Sequence, residues 1–237
     1  MEQKKQEGNQ EMRPILLASS SPRRREILGR TGVPFSIVPA NLDEDGFAES
    51  FQGSYPELVE ALAVAKARAV AQAQPGFEGL ILAADTTVIL DGDMLAKPRD
   101  PDEAIRMLRR LRGRMHQVAT GVALYDCQTG VLDSECVTTN VWMRSYSDEE
   151  IAAYVATGDS LDKAGAYAVQ HELFHPVEKV EGCYLTVVGL PLCLVTMLLS
   201  KHGLAIAPLV PAVVGQPGNC LWSVQCRPPL PAGAERA

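Results

Sequence analysis

One stretch of the chain decides the fold prediction: residues 15–26 read ILLASSSPRRRE. Its first four residues form an apolar run of strand length, and the three serines that follow end this run. Ser21 is a favoured N-cap residue and Pro22 stands at the favoured first helical position, so a helix is predicted to begin here and to stop near Gly32. A strand that leads directly into a helix is typical of α/β proteins.

The rest of the chain continues the alternation between strand patterns and helix patterns, which predicts an α/β fold. Ser54 with Glu57, and Ser147 with Glu150, have capping-box spacing and each predict the start of a helix. Further strands are predicted at 35–38, 80–90, 118–125 and 131–143, with a hairpin turn at 91–92. The remaining helices are predicted at 54–74, from 100 to about 111, at 147–158 and at 191–202.

Composition and charge limit the class of protein. The chain has 237 residues, 46% of them hydrophobic, which suits one domain with an aliphatic core. Its net charge of −7 argues against binding to nucleic acid or to an anionic membrane surface. No apolar run approaches the roughly 20 residues of a transmembrane helix, and the polar N-terminus has no signal-peptide pattern. The six cysteines form no CxxC pair, so we expect reduced thiols and a cytoplasmic protein.

The two ends of the chain differ from its body. Residues 1–13 are polar throughout and are predicted to be a flexible lead. Residues 205–237 are rich in Pro, Gly, Ala and Val and lose the periodicity of the preceding sequence. We therefore expect one domain at 14–204, followed by a tail to which the sequence assigns no function.

The quoted stretch is also the first candidate site. Small hydroxyl residues between a strand and a helix N-terminus favour an anion, because backbone N–H groups and the helix dipole point toward it. Arg23 and Arg24 add guanidinium groups that suit phosphate oxygens. The alternative is a capped helix with a solvated basic face. Arginines at this end oppose the helix dipole, which favours the anion site.

A second candidate is Asp85, at the end of the apolar run of the strand predicted at 80–90. A carboxylate at that position could hold a divalent cation or take a proton from water, and Thr86 could donate a hydrogen bond. Taken alone, an Asp-Thr pair is better explained as a turn or cap. Lys66 and Lys97 could be surface lysines, and Glu44 could be a solvated acid or a cation ligand. The small residues of the segment 162–170 would allow a ligand to approach the backbone closely. The four histidines have no ligand-like spacing, so no catalytic role is predicted for them.

Taken together and in this order, these segments resemble the Maf family of nucleotide pyrophosphatases, which remove non-canonical or excess nucleotides. The resemblance covers about residues 15–203. Six motifs carry it: ASSSPRR at 18–24, ADT at 84–86, KP at 97–98, TGVA at 120–123, DKAGAY at 162–167 and VVGLP at 187–191.

The resemblance implies a fold, a cofactor and a set of site residues. The fold is an elongated mixed sheet with flanking helices and two lobes around a nucleotide cleft, and the cofactor is a divalent cation, Mg²⁺ or Mn²⁺. Asp85 corresponds to the catalytic carboxylate, as metal ligand, general base or both, and Glu44 to a second acid near the metal. The phosphate-binding set corresponds to Ser21, Arg23, Arg24, Lys66 and Lys97. Family members commonly form homodimers, although nothing in the sequence itself indicates one.

The resemblance also implies an activity: hydrolysis of a nucleoside triphosphate to the monophosphate and pyrophosphate. Arg23, Thr86 and Gln170 match the branch that acts on dTTP and UTP. Two alternatives stay open, a septum-formation inhibitor that acts by binding a partner, and a pyrophosphatase for another base such as 7-methyl-GTP. The chain departs from the family pattern at Ala65, Thr186 and the segment 171–176, and we expect these departures near the base-binding side.

Overall fold

A computed structural model describes residues 13–204. The predicted tail at 205–237 and residues 1–12 of the predicted lead lie outside the described residues. Arg13, which the sequence analysis placed in the flexible lead, instead donates two hydrogen bonds to Asp126. Within residues 13–204 no helix is long and apolar enough to cross a membrane. Within this range, Cys127 and Cys136 form no disulfide bond.

The structure is a mixed α/β fold, as predicted. The strands are β1 (Ile15–Leu17), β2 (Phe35–Ile37), β3 (Leu80–Leu90), β4 (Asp93–Leu95), β5 (Met115–Asp126), β6 (Leu132–Met143) and β7 (Val177–Glu181). The helices are α1 (Pro22–Gly29), α2 (Glu44–Ser50), α3 (Tyr55–Ala73), α4 (Pro101–Leu111), α5 (Asp148–Ala156), α6 (Tyr184–Val188) and α7 (Leu192–Lys201). One turn of 3-10 helix lies at Ala164–Ala166.

All seven strands form one sheet. Its order is β2-β1-β3-β5-β6-β7, and β4 pairs with β3 beside this path. β1 is parallel to both β2 and β3, whereas the pairs β3–β4, β3–β5, β5–β6 and β6–β7 are antiparallel. The sheet therefore combines a short parallel part, typical of strand–helix units, with a long antiparallel part.

Local sequence signals place most elements correctly. Both predicted capping boxes are present, at the starts of α3 and α5. The turn at 91–92 joins β3 to β4, with positive φ at both of its residues, as a two-residue hairpin loop requires. The short helices α2 and α6 and the short strands β4 and β7 were not predicted from the sequence.

Three apolar clusters form the core. One packs α1, α6 and α7 on one face of β1, β3 and β5, with Leu17, Leu82 and Leu198 fully buried. A second packs α3 on the opposite face, with Ala63 and Ala67 against the sheet. The third lies at the other end of the sheet, among α4, α5, the β3–β4 hairpin and the 3-10 turn. The first two clusters cover the two faces of the same part of the sheet, and the third covers the other end. The sheet thus carries two packed regions along its length.

A difference in strand length opens the space between these regions. β1 ends at Leu17, which pairs with Leu82, but β3 continues for eight more residues, to Leu90. Past Leu82 the edge of β3 that faced β1 has lost its parallel neighbour. Asp85 lies on this continuation, in the middle of β3 and opposite Gly121 of β5. The strand predicted at 80–90 is confirmed, with Asp85 just after its apolar run; it is the neighbouring strand β1 that ends, three residues earlier, beside Leu82.

Candidate active site

A single cleft of about 1080 Å³ contains every predicted site residue. The β1–α1 connection, α2, α3, the continuation of β3, the β4–α4 connection and the segment 162–170 line it. The nine predicted residues in its wall are Ser21, Arg23, Arg24, Glu44, Lys66, Asp85, Thr86, Lys97 and Gln170. Positions that lie up to 149 residues apart in the sequence, from Ser21 to Gln170, therefore line the same cleft.

The N-terminus of α1 forms one end of the cleft. The hydroxyl of Ser21 accepts a hydrogen bond from the backbone N–H of Arg24 at 3.4 Å, so this side chain caps the helix. Arg23 forms an ion pair with Asp162 at 3.2 Å, across the cleft from α1. Arg25 is exposed and does not line the cleft. The helix start therefore turns two arginines inward, rather than presenting one uniform solvated basic face.

Lys66 joins the two acidic residues of the site. Its ammonium group donates to Asp85 Oδ1 at 2.7 Å and to Glu44 Oε2 at 2.8 Å. Only 8% of the Lys66 side chain is exposed, because it lies on the apolar face of α3, between Leu62 and Val70. The alternative that Lys66 is a surface lysine is thus wrong. Burial of a cation requires partners of opposite charge, and the two carboxylates supply them.

Arg24 is held by three groups of the protein. It donates from Nε to the carbonyl oxygen of Gly189 at 2.9 Å, from one Nη to Ser19 Oγ at 3.3 Å and from the other to Thr86 Oγ1 at 3.1 Å. Burial lowers the pKa of Arg24, and the nearby carboxylates of Asp85 and Glu44 oppose this shift. An arginine has a very high ordinary pKa, so the guanidinium remains a cation beside the two acids.

The hydroxyl of Thr86 is part of a hydrogen-bond chain. Thr86 Oγ1 lies 2.9 Å from Thr120 Oγ1, and Thr120 donates to the carbonyl oxygen of Thr186 at 2.8 Å. A threonine has one hydroxyl proton, so Thr120 must accept from Thr86. Thr86 in turn accepts from Arg24. Thr86 therefore donates a hydrogen bond, as the sequence predicts, but its proton goes to Thr120 in this arrangement.

The opposite wall of the cleft offers free polar groups. Lys97 and Gln170 are exposed, and neither makes a hydrogen bond or an ion pair within residues 13–204. Behind this wall the ring of Tyr167 is buried, and its hydroxyl lies 2.7 Å from Nε2 of His116. Burial lowers the pKa of His116 to about 4, so this imidazole is neutral near pH 7. Its hydrogen bond holds Tyr167 in place in the wall of the cleft.

Three residues that contribute to the site were missed as site residues: Ser19, Thr120 and Gly189. Each contacts a predicted site residue through a hydrogen bond. All three lie inside motifs that the resemblance had already marked, so the motifs were the available signal. Their roles depend on strand register and on loop contacts, which the sequence does not give directly.

The departures from the family pattern do not line the cleft. Ala65 lies in a separate groove with Phe47, on the outer side of α3. Thr186 is fully buried and meets the site only through Thr120, and none of residues 171–176 is in the cleft wall. Of these positions, only the segment 171–176 adjoins the cleft in the sequence, because it directly follows Gln170.

Comparison with known proteins agrees with this geometry. The family model described as "Maf-like protein" matches residues 14–202. A relative from Citrifermentans bemidjiense named dTTP/UTP pyrophosphatase is 47% identical over 180 residues, or 76% of this chain and 90% of the relative. Relatives with the same name from Dictyoglomus turgidum and Moorella thermoacetica are 44% and 46% identical, over 80% and 81% of this chain and 96% of each relative. Because the match spans the whole cleft and both packed regions of the sheet, the chain belongs to the Maf-like family.

Proposed function

We propose that this chain is a nucleoside triphosphate pyrophosphatase that hydrolyses dTTP and UTP to the monophosphate and pyrophosphate. One observation carries the proposal: Asp85 and Glu44, joined by the buried Lys66, lie in the same cleft as Arg23, Arg24 and Lys97. Cations of this kind suit a triphosphate, and a carboxylate beside them suits attack by water. The names of the relatives support the same substrates.

The reaction breaks the bond between the α-phosphorus and the bridging oxygen to the β-phosphate. A water oxygen attacks the α-phosphorus in line, its proton is taken up, and pyrophosphate leaves with the bridging oxygen. Such transfers depend mainly on positioning and on neutralised charge. Arg23, Arg24 and Lys97 would neutralise the phosphates, while Asp85 would orient the attacking water or accept its proton. Lys66 would keep Asp85 and Glu44 at a fixed separation.

The acidic residues also fit a divalent cation. Within residues 13–204 no group of three or more His, Cys, Asp or Glu side chains is arranged to hold a metal. Mg²⁺, however, is usually bound by one or two carboxylates together with substrate phosphates. Oδ2 of Asp85 and Oε1 of Glu44 make no hydrogen bond to the described residues, so each can be a ligand. A bound Mg²⁺ or Mn²⁺ would supply charge neutralisation at the phosphate oxygens.

Gln170 is proposed to select the base. Its amide is exposed in the cleft wall and can both donate and accept, which matches the edge of uracil or thymine. A 7-methylated guanine is cationic and would favour a carboxylate and an aromatic face. Replacing Gln170 by Glu would place a carboxylate opposite a carbonyl oxygen of the pyrimidine.

The test is pyrophosphate release from dTTP, UTP and 7-methyl-GTP, measured as kcat/KM with Mg²⁺ present. We expect dTTP and UTP to exceed 7-methyl-GTP, and Gln170→Glu to reduce the difference. Glu178→Gln is the control: it changes the charge of an exposed residue outside the cleft wall and should leave the ranking unchanged. If 7-methyl-GTP is the best substrate, the base assignment is wrong. If none of the three releases pyrophosphate, the proposed activity is wrong and binding of a partner becomes the better hypothesis.

A further inference from the structure

We propose that Thr120 is a positioning residue that holds Arg24 in the cleft through Thr86. This inference rests on the proposed function, in which Arg24 binds phosphate. Thr120 is fully buried on β5, opposite Thr86 of β3, and does not line the cleft. Its effect on a substrate would therefore have to pass through Thr86 and Arg24.

The direction of the hydrogen bonds supports this role. The Thr186 carbonyl can only accept, so it fixes the proton of Thr120 and leaves the Thr120 oxygen as an acceptor for Thr86. The oxygen of Thr86 is then presented to Arg24, which can only donate. Every bond in this series of hydrogen bonds has one allowed direction, so the guanidinium of Arg24 has an acceptor at a fixed position.

Arg24 has another hydrogen-bond acceptor, the carbonyl of Gly189, in the same segment of the chain as Thr186. The carbonyl of Gly189 accepts from Arg24 Nε, and Gly189 has a φ of +117°. A Cβ at this position would lie 3.3 Å from Thr86 Oγ1 and 3.6 Å from Arg24 Nε. Thr120 therefore ties together two of the three acceptors of Arg24: it binds Thr86 directly, and it binds the α6 backbone three residues before Gly189.

The surroundings of Arg24 explain why two fixed acceptors matter. The carboxylates of Asp85 and Glu44 attract the same guanidinium. An arginine held only by charge would be free to turn toward these acids. The acceptors at Thr86 and Gly189 instead fix the plane of the guanidinium. A fixed plane leaves its remaining N–H groups in one orientation toward the cleft.

The decisive variant is Thr120→Val, which keeps the shape of the side chain and removes the hydroxyl. We expect kcat/KM for dTTP to fall by about 10-fold to 100-fold, the size of effect typical of misplaced groups. Thr120→Ser restores the hydroxyl and should stay within about threefold of wild type. Thr139→Val is the matched control, because Thr139 is also buried and also bonds to the α6 region, through Cys183, but its hydroxyl makes no hydrogen bond to a residue that lines the cleft.

A second readout does not depend on turnover. In protein labelled with ¹⁵N-arginine, the signal of the Arg24 Nη–H group that donates to Thr86, assigned with Arg24→Lys, should be protected from exchange in wild type, Thr120→Ser and Thr139→Val. It should lose protection in Thr120→Val. Should Thr120→Val fail to fold, Thr86→Val breaks the same chain and leaves the Thr120–Thr186 bond in place. Unchanged protection and unchanged kcat/KM in whichever of these two variants folds would overturn the proposal, as would equal losses in Thr139→Val.

The two readouts separate this inference from the proposed function. If wild type releases no pyrophosphate from any nucleotide, the proposed function fails, and the exchange of the Arg24 signal still decides whether Thr120 positions it. If wild type is active but Arg24 keeps its protection in Thr120→Val, only the positioning role fails.

Discussion

The charge of Asp85 can be tested without changing its shape. In Asp85→Asn the amide oxygen can still accept from Lys66, so the NH₂ group would occupy the position of Oδ2, where a cation or a water proton would otherwise be bound. We expect kcat for dTTP to fall by about 10²-fold to 10⁴-fold, as for loss of a general base. Lys66 keeps its ion pair with Glu44, so the melting temperature should stay close to that of wild type.

Asp93→Asn is the control for this variant. Asp93 is an exposed carboxylate on β4 that pairs with Arg110, so its loss should leave kcat unchanged. Steady-state turnover and thermal melting of both variants decide the matter. Wild-type turnover in Asp85→Asn would remove Asp85 from the catalytic role.

Single residues of the site could be predicted where a motif or the family resemblance marks them. Arg24 and Asp85 lie in two of the six motifs, Lys66 is marked by the resemblance alone, and all three line the cleft. Their contacts could not be predicted, because the Lys66–Asp85 bond joins a helix face to the middle of a strand. The hydroxyl chain from Thr86 likewise depends on the β3–β5 register, which places Thr120 opposite it.

The position of α3 above the sheet depends on Gly121. This residue pairs with Asp85, and a Cβ built on it would lie 2.5 Å from the Cα of Glu60 in α3. Gly121→Ala would push the helix away from β5 and displace Lys66 from Asp85. We expect the free energy of unfolding to fall by about 1–3 kcal/mol, as for overpacked cores, and kcat/KM to fall with it.

Gly29→Ala is the matched glycine substitution. Gly29 lies at the end of α1, and nothing lies within 4 Å of an added Cβ. Alanine is a better helix former, so this variant should be neutral or slightly more stable. Urea unfolding and kcat/KM are measured for both variants. Wild-type stability together with wild-type activity in Gly121→Ala would show that the contact between α3 and β5 does not set the site.

Elements with strong local signals could be predicted, and short elements could not. The helix α3 has a capping box and an apolar face, and both are readable from neighbouring residues. The helix α2 has seven residues and none of them is buried, so it has no apolar periodicity to detect. β4 has only three residues, and it forms because the tight turn at 91–92 brings it against β3.

The two ends of the described part of the chain meet at one cluster of titratable side chains. Arg13 donates to both carboxylate oxygens of Asp126, at 2.9 and 2.5 Å. His202, just after α7, lies 3.6 Å from Asp126 and 2.8 Å from Asp133. The end of β5 is thereby joined to the first described residue and to the last helix. The sequence gives no sign of this link, since its partners are 113 and 76 residues from Asp126 in the chain.

This cluster should make the stability of the whole domain depend on acid pH. The hydrogen bonds from Arg13 hold the pKa of Asp126 well below its usual range, despite an opposing effect of burial. A carboxyl whose pKa is lower in the folded protein stabilises the fold at every pH above its pKa in the unfolded chain, which is about 4. This contribution to stability is lost as the pH falls from that value toward the pKa in the folded protein. We therefore expect wild type to lose melting temperature progressively below pH 4.

Asp126→Asn removes the titrating group from the cluster. At pH 7 the variant should melt at a lower temperature than wild type, because Arg13 loses its charged partner. Below pH 4 it should lose less further stability than wild type, so the two melting curves should converge as the pH falls. Asp148→Asn is the control, since Asp148 is an exposed carboxylate whose pairs with Arg109 and Arg112 are accessible to solvent and contribute little. Parallel losses in wild type and Asp126→Asn between pH 5 and pH 2 would mean that other carboxyl groups govern acid unfolding, and that the link between the two ends of the domain is not what acid breaks.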